Sequence, residues 1–124
     1  MTNILLVDDD PMVCDAIRKR LERDGHSVRV AGNGNEALQM VDQSEPELVI
    51  TDIIMPEREG IETLMEMKQR IPGIKVIAMS GGGRIGRTDH LKLAAHLGAD
   101  ATLIKPFTTA QLRTALADLA MKTA

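Results

Sequence analysis

The 124-residue sequence has almost no aromatic side chains: Phe107 is the single one, and tryptophan and tyrosine are absent. Aromatic rings form the stacking surfaces on which single-stranded nucleic acids bind. Their near absence therefore argues against a base-stacking surface and against a site that sandwiches a flavin ring. The apolar share is still 44% and includes eight methionines, which we interpret as core-filling residues.

Cysteine and a surplus of basic charge are also missing. Cys14 is the one cysteine, so no disulfide can form within the chain, and no Cys or His stands near it at metal-site spacing. This is typical of a reducing compartment, and we interpret Cys14 as a helix-packing residue. The formal net charge is −3, and Lys and Arg form no block or stripe. Direct binding to nucleic acid is therefore not predicted.

Long apolar runs are absent as well. The first apolar run, Ile4–Val7, is far shorter than the core of a signal peptide or a membrane span. We therefore predict a cytoplasmic protein that does not enter a membrane. The length suits one domain, and residues 1–124 are predicted to form it.

Five short apolar segments alternate with segments of helical periodicity, and this order predicts the fold class. The predicted strands are Ile4–Val7, Val28–Val30, Leu48–Asp52, Ile74–Met79 and Ala101–Ile104. Nearly continuous apolar strands separated by helices indicate an α/β fold with a parallel sheet doubly wound by helices on both faces. In such open sheets, ligands bind beyond the carboxyl ends of the strands.

Helices are predicted between the strands and after the last one. Asp10 and Pro11 provide an N-cap and a first-turn proline, so the first helix is predicted from there to about Asp24. Thr108 and Gln111 form a capping-box signature for the last helix. The apolar stripes of the five helices are Val13, Ile17 and Leu21; Ala37, Leu38 and Val41; Leu64, Met67 and Ile71; Leu91, Ala94, Ala95 and Leu97; and Leu112, Leu116 and Leu119.

Polar residues follow four of the predicted strands at the edge where a ligand is expected: Asp8, Asp9 and Asp10, then Asp52, Ser80 and Lys105. Carboxylates that converge there repel one another by about 4 kcal/mol at about 4 Å and an effective dielectric constant of 20. A bound cation relieves this repulsion, and oxygen ligands without His or Cys favour Mg²⁺ before Ca²⁺. Asp10 is interpreted as the helix cap, so this prediction depends on Asp8 and Asp9.

Magnesium in turn indicates phosphate chemistry. Phosphoryl transfer depends chiefly on neutralising the charge of the phosphoryl oxygens. A lysine ammonium, a small hydroxyl donor and the metal ion together supply that neutralisation. Lys105 and Ser80 suit the first two roles.

The same positions carry motifs that resemble the response regulator receiver family. The motifs are the acidic pair Asp8-Asp9, Asp52 followed by Met55-Pro56 and Gly60, Ser80-Gly81, and Lys105-Pro106-Phe107. They occur in the family's order and span essentially the whole chain. The resemblance implies a flavodoxin-like (βα)5 fold with strand order 2-1-3-4-5, and a single-domain response regulator of two-component signalling.

The resemblance also implies a role for each matched position. Asp52 matches the phosphoacceptor, and Ser80 and Lys105 match the residues that contact the phosphoryl group, with a cis peptide before Pro106. Mg²⁺ would be held by Asp9 directly, by Asp8 through water, by Asp52 and by the backbone carbonyl of Ile54. No organic cofactor is implied.

The family's biology implies partners as well. The phosphoryl group would come from a phosphohistidine on a sensor histidine kinase or a phosphotransfer protein. The phosphoprotein would signal to a protein target through the face formed by the fourth helix, the fifth strand and the fifth helix. The chain would be a switch rather than an enzyme, although it assists its own phosphorylation and dephosphorylation.

Two other function classes stay open at this point. Asp8-x-Asp10 after an apolar strand resembles the nucleophile motif of haloacid-dehalogenase-type phosphatases, although Met12 stands where that family has Thr or Val. A receiver-like adaptor that works unphosphorylated, or a flavodoxin-like binder, is the third class. The G-x-G-x-x-G match at 81–86 is interpreted as a loop and not as a dinucleotide fingerprint, which belongs to the first strand-helix turn.

Two positions depart from the family pattern. Thr102 stands where many members carry a switching aromatic residue, so a ring flip is not the signal. We therefore predict that the loop after Ser80 and the helix that follows it move toward the phosphoryl group. Ile54 is apolar where many members are polar, which predicts a longer phosphorylated lifetime.

Overall fold

The computed structural model describes residues 2–53, 60–80, 92, 94–96 and 98–123. Within these residues, five parallel strands form one sheet in the order β2-β1-β3-β4-β5. The strands are β1 (Asn3–Val7), β2 (Ser27–Ala31), β3 (Leu48–Asp52), β4 (Lys75–Ser80) and β5 (Ala101–Ile104). The predicted doubly wound α/β class and the flavodoxin-like strand order 2-1-3-4-5 are confirmed.

Four helices are bounded in the described part of the chain: α1 (Pro11–Arg23), α2 (Gly34–Gln43), α3 (Gly60–Arg70) and α4 (Thr109–Thr123). Residues 92 and 94–96 are also helical, where the sequence predicts a helix between β4 and β5. The rest of that prediction, including Leu91 and Leu97, lies outside the described residues. No helix among the described residues is long and apolar enough to cross a membrane.

The strand register brings the carboxyl ends of four strands to one edge of the sheet. Val7 of β1 pairs with Thr51 of β3, which places the end of β1 beside Asp52. In the same way Asp52 pairs with Met79 of β4, next to Ser80. Ser80 pairs with Ile104 of β5. The residues that follow these strands therefore meet at this edge.

Both faces of the sheet are covered, because alternate residues of each buried strand point to opposite sides. One face packs against α2 and α3, and its core includes Leu5, Val49, Leu38, Leu64 and Met67. The other face packs against α1 and α4, and its core includes Ile4, Ile50, Ile17, Phe107 and Leu112. Cys14 lies in this second core, which confirms it as a packing residue.

The predicted helix caps are present in the structure. The Asp10 carboxylate accepts hydrogen bonds from the backbone N–H groups of Met12 and Val13, at 2.9 and 3.4 Å. At α4, the Gln111 N–H donates to Thr108 Oγ1 at 3.0 Å, and the Thr108 N–H donates to Gln111 Oε1 at 2.8 Å. At the N-terminus of each of these two helices, side chains thus accept hydrogen bonds from two backbone N–H groups that have no partner within the helix.

Several predicted boundaries are wrong by one residue: β1 begins one residue earlier, β2 extends one residue further at each end, β4 is shifted by one residue, and α3 ends one residue earlier. Helix α3 ends at Arg70, and Ile71 follows it, because the residue before a proline is disfavoured in helical conformation. Strand β4 begins at Lys75, since the Ile74 N–H still bonds within the preceding turn, to the Ile71 carbonyl at 3.0 Å. The side chains of Ile71 and Ile74 nevertheless pack against the core.

Candidate functional site

The turn after β1 holds one aspartate inside the protein and the next one outside it. Asp8 is 2% exposed, whereas Asp9 is exposed. The Asp8 N–H donates to the Ala31 carbonyl at 3.1 Å, and Asp8 Oδ1 accepts from the Asp10 N–H at 3.0 Å. The Asp8 carbonyl accepts a hydrogen bond from the Cys14 thiol, with 3.4 Å between the oxygen and sulfur atoms. These contacts fix the Asp8 side chain at the edge of the sheet.

Lys105 connects the ends of three strands. Its Nζ lies 2.8 Å from Asp8 Oδ2 and 2.9 Å from Asp52 Oδ2, and its side chain is 20% exposed. Its backbone N–H donates to the Ser80 carbonyl at 2.8 Å, and the Lys105–Pro106 peptide is cis, as predicted. Burial opposes the charged ammonium, but the hydrogen bonds to Asp8 and Asp52 outweigh it and raise the pKa of Lys105 above its ordinary value.

Three carboxylates converge beside this lysine. One carboxylate oxygen from each of Asp8, Asp9 and Asp52 lies within 4.8 Å of the other two. Among the described residues at this edge, Lys105 brings one positive charge to three negative ones, so these four side chains carry an excess of negative charge. Hard oxygen ligands around such an excess match the requirements of a divalent cation like Mg²⁺. Ile54, the remaining predicted ligand, lies outside the described residues.

Ser80 offers a donor that nothing in the described part of the chain uses. Its side chain is fully buried at the end of β4, and its Oγ has no hydrogen-bond partner among the described residues. A buried hydroxyl without a partner costs about 1–3 kcal/mol. An oxyanion bound at this edge would satisfy it, so the serine fits a bound phosphoryl oxygen.

The structure thus brings together Asp8, Asp9, Asp52, Ser80 and Lys105, as the sequence predicts. Asp10 acts as the cap of α1, which agrees with its interpretation.

The sequence did not predict two contacts at this edge. The Cys14 thiol bonds the Asp8 carbonyl, and burial followed by the nearby Asp8 charge raises the pKa of Cys14 to about 11. Arg20 Nη1 donates to the Phe107 carbonyl at 3.3 Å. Helical periodicity places both residues on α1, but no sequence pattern identifies a partner on another element.

Residues 4–117 match the family model of the response regulator receiver domain. The chain belongs to this family. It is 35% identical over 116 residues to the chemotaxis protein CheY of Halobacterium salinarum, covering 94% of each protein. It is 36% identical over 112 residues to the transcriptional regulatory protein CpxR of Escherichia coli, covering 90% of this chain and 46% of that protein. The receiver thus spans about half the length of CpxR.

Solved receiver structures share the fold closely. A response regulator receiver domain protein from Clostridium thermocellum superposes with a TM-score of 0.89 at 32% identity, covering 99% of this chain and 98% of the other. The receiver domain of NtrX from Brucella abortus gives 0.87 at 31% identity, covering 98% and 100%. The receiver is therefore a CheY-like signalling module of two-component systems, with an acidic cluster that could bind a metal ion.

Proposed function

We propose that residues 1–124 form a single-domain response regulator that accepts a phosphoryl group on Asp52 in the presence of Mg²⁺. The donor is a phosphohistidine on a sensor histidine kinase or a phosphotransfer protein. The observation that carries this proposal is the arrangement around Asp52. Its carboxylate lies 2.9 Å from the Lys105 ammonium and within 4.8 Å of the Asp8 and Asp9 carboxylates. At the same edge lies the Ser80 hydroxyl, which has no hydrogen-bond partner among the described residues.

The chemistry is a substitution at phosphorus. An Asp52 carboxylate oxygen attacks the phosphorus atom, a P–O bond forms, and the P–N bond of the phosphohistidine breaks with its electron pair passing to the imidazole nitrogen. The Lys105 ammonium and the Ser80 hydroxyl donate to the phosphoryl oxygens. Asp9 and Asp52, the Ile54 carbonyl and, through water, Asp8 would hold Mg²⁺, which would supply further charge neutralisation.

The product is a switch, and the chain is not an enzyme acting on a separate substrate. We propose that it works in the cytoplasm and signals to a protein target through β5, α4 and the helix that precedes β5. Thr102 is exposed on β5, and Ile104 is 45% exposed. These two side chains leave the outer part of β5 accessible to a partner.

Intact-mass measurement tests the central claim. The protein is incubated with Mg²⁺ and phosphoramidate, a small donor that carries the P–N bond of phosphohistidine. We expect the wild type to gain the mass of one phosphoryl group and Asp52→Asn to gain none. Asp42→Asn is the matched control, because Asp42 is an exposed aspartate paired with Arg70 away from this edge. An Asp52→Asn variant that gains the same mass as the wild type overturns the proposal.

The same preparation separates the two other function classes. A phosphatase with Asp8 as its nucleophile would hydrolyse p-nitrophenyl phosphate over many turnovers and would lose this activity in Asp8→Asn. An unphosphorylated adaptor would gain no mass from any donor. In the structure, Asp8 Oδ1 accepts from the Asp10 N–H and Asp8 Oδ2 from Lys105, so both oxygens are already engaged. These contacts hold the Asp8 carboxylate at the edge of the sheet, which supports its proposed role at Mg²⁺ through water.

A further inference from the structure

The segment that carries Lys105 is held at both of its ends. At its start, the Lys105 N–H bonds the Ser80 carbonyl at 2.8 Å. At its end, the capping box between Thr108 and Gln111 begins α4. Phe107 lies between these points with its ring in the core, 8% exposed. The backbone between the two ends therefore sets where the lysine side chain starts.

One contact reaches this backbone from α1. Arg20 Nη1 donates to the Phe107 carbonyl at 3.3 Å, across 87 positions of sequence. Phe107 is two residues beyond Lys105. The donor is charged, which favours the contact, while its length of 3.3 Å is at the long end for a hydrogen bond, so the restraint on the segment is modest.

Helix α1 and this segment meet through a shared core and along an open groove. Ile17 and Phe107 belong to the same buried cluster. Beside them lies a groove of about 400 Å³, lined by Val13, Ala16, Ile17 and Arg20 of α1 and by residues 105–107. The Arg20 hydrogen bond is a polar contact between the two elements at the side of this groove.

The N-terminus of α1 directly follows the turn that holds Asp8 and Asp9. Asp10 caps the helix directly after Asp8 and Asp9, and Arg20 lies ten residues later, about 15 Å along the axis at 1.5 Å per residue. The helix is a rigid spacer between the metal-binding carboxylates and the segment that carries the lysine. The start of α1 is joined to the acidic turn, and Arg20 near its end contacts the segment that carries Lys105. The helix therefore links the position of Lys105 to that of the acidic cluster.

We propose that Arg20 is a positioning residue for phosphoryl transfer, which acts through the Phe107 carbonyl to hold the Lys105 ammonium at the acidic cluster. It contacts neither the phosphoryl group nor the metal ion. This inference rests on the proposed function of Asp52. Misplacing a charge-neutralising group lowers the rate of transfer, whereas the carboxylates that bind the metal stay in place.

Arg20→Met tests the inference, because methionine keeps an unbranched apolar stem and removes the donors. We expect phosphorylation by phosphoramidate at saturating Mg²⁺ to be about 3- to 10-fold slower than in the wild type, because only part of the free energy of the lost hydrogen bond is transmitted to the position of the Lys105 ammonium. The Mg²⁺ dissociation constant, measured by calorimetry, should change less than about twofold. Arg20→Lys restores a charged donor and should recover most of the rate.

Arg29→Ala is the matched control. Arg29 is also partly buried and donates to backbone carbonyls, those of Met40 and Ser44 at 3.4 and 2.7 Å, but it lies on β2. This variant should lose stability without a slower rate in the folded protein. Equal slowing in Arg29→Ala and Arg20→Met would show a general loss of stability and would overturn the inference. So would an unchanged rate in Arg20→Met, or a Mg²⁺ affinity that falls in step with the rate.

A second readout does not depend on phosphorylation. The ¹³Cε resonance of Lys105, assigned by its absence in Lys105→Met, reports the contact with Asp8 and Asp52. In Arg20→Met it should shift toward the value of exposed lysines, and in Arg29→Ala it should stay in place. If the wild type gains no phosphoryl mass, the proposed function fails, yet this shift still decides whether Arg20 positions Lys105. An unmoved resonance in Arg20→Met overturns the inference.

Discussion

Replacing Lys105 with methionine removes the positive charge that lies between two buried carboxylates. Asp8 is 2% exposed and Asp52 is 7% exposed, so water screens their mutual repulsion poorly once the ammonium is gone. Oxygen atoms of the two carboxylates lie within 4.8 Å of each other. Methionine keeps most of the apolar stem, so the change in charge dominates the effect.

The magnitude follows from this separation. Two unit charges at 4.8 Å repel by about 3.5 kcal/mol at an effective dielectric constant of 20. We therefore expect Lys105→Met to lower the free energy of unfolding by about 3 kcal/mol at pH 7 in the presence of a chelator. Saturating Mg²⁺ should reduce this loss by at least about 1 kcal/mol, because the variant binds the cation more tightly than the wild type does.

Urea unfolding followed by circular dichroism measures both quantities, since the chain has no tryptophan for fluorescence. Lys68→Met is the control. Lys68 pairs with Asp100 at 2.8 Å, with both side chains 20% exposed, outside the acidic cluster. Its loss of stability should be the same with and without Mg²⁺. If Lys105→Met loses equal stability under both conditions, Lys105 and the cation do not neutralise the same carboxylates, and the reasoning is refuted.

Three further predictions concern residues around the site. Asp10→Ala should lower the free energy of unfolding by about 1 kcal/mol through loss of the cap of α1, with the Mg²⁺ affinity from calorimetry changed less than about twofold; a large loss of affinity would make Asp10 a metal ligand. Cys14 is 5% exposed with its pKa raised to about 11, so a thiol-disulfide reagent at pH 8 should label it at least about tenfold more slowly in the folded protein than in urea, and equal rates would contradict its burial. The pKa of Lys105 is raised above 10.5 on folding, so its stabilising effect is complete below pH 10.5 and is lost as the pH rises through the folded-state pKa. Between pH 8 and strongly alkaline pH, the difference in unfolding free energy between wild type and Lys105→Met should therefore shrink only above about pH 10.5, and a decline between pH 8 and pH 10 would be inconsistent with this cause.

The strands and the positions of the polar residues at their ends were predictable because each depends on local sequence. The apolar runs before Asp8 and Asp52 are buried on both faces, and parallel strands bring their ends to a common edge. Boundaries were less predictable where a proline or a turn competes with periodicity, as at Ile71 and Ile74. Periodicity identifies that a residue is buried, but not at which residue a helix or strand stops.

Contacts between distant elements were not predictable in the same way. Lys105 was expected to reach the phosphoryl position, yet its contact with Asp8 spans 97 positions of sequence. The contact between Arg20 and Phe107 depends on how α1 packs against the segment after β5. Such contacts follow from tertiary packing, and no residue pattern within either element indicates the partner.

The charges at this edge also indicate an order of events for the proposed phosphorylation. Asp8, Asp9 and Asp52 carry three negative charges against the single positive charge of Lys105. Converting the Asp52 carboxylate to an acyl phosphate adds about one further negative charge. Lys105 alone does not offset this addition, so under the proposed function a cation bound before the group arrives would favour the transfer. Lys105 already contacts Asp52 Oδ2 at 2.9 Å and has three N–H donors, so under the proposed function its ammonium would also be placed to donate to a phosphoryl oxygen as the P–O bond forms.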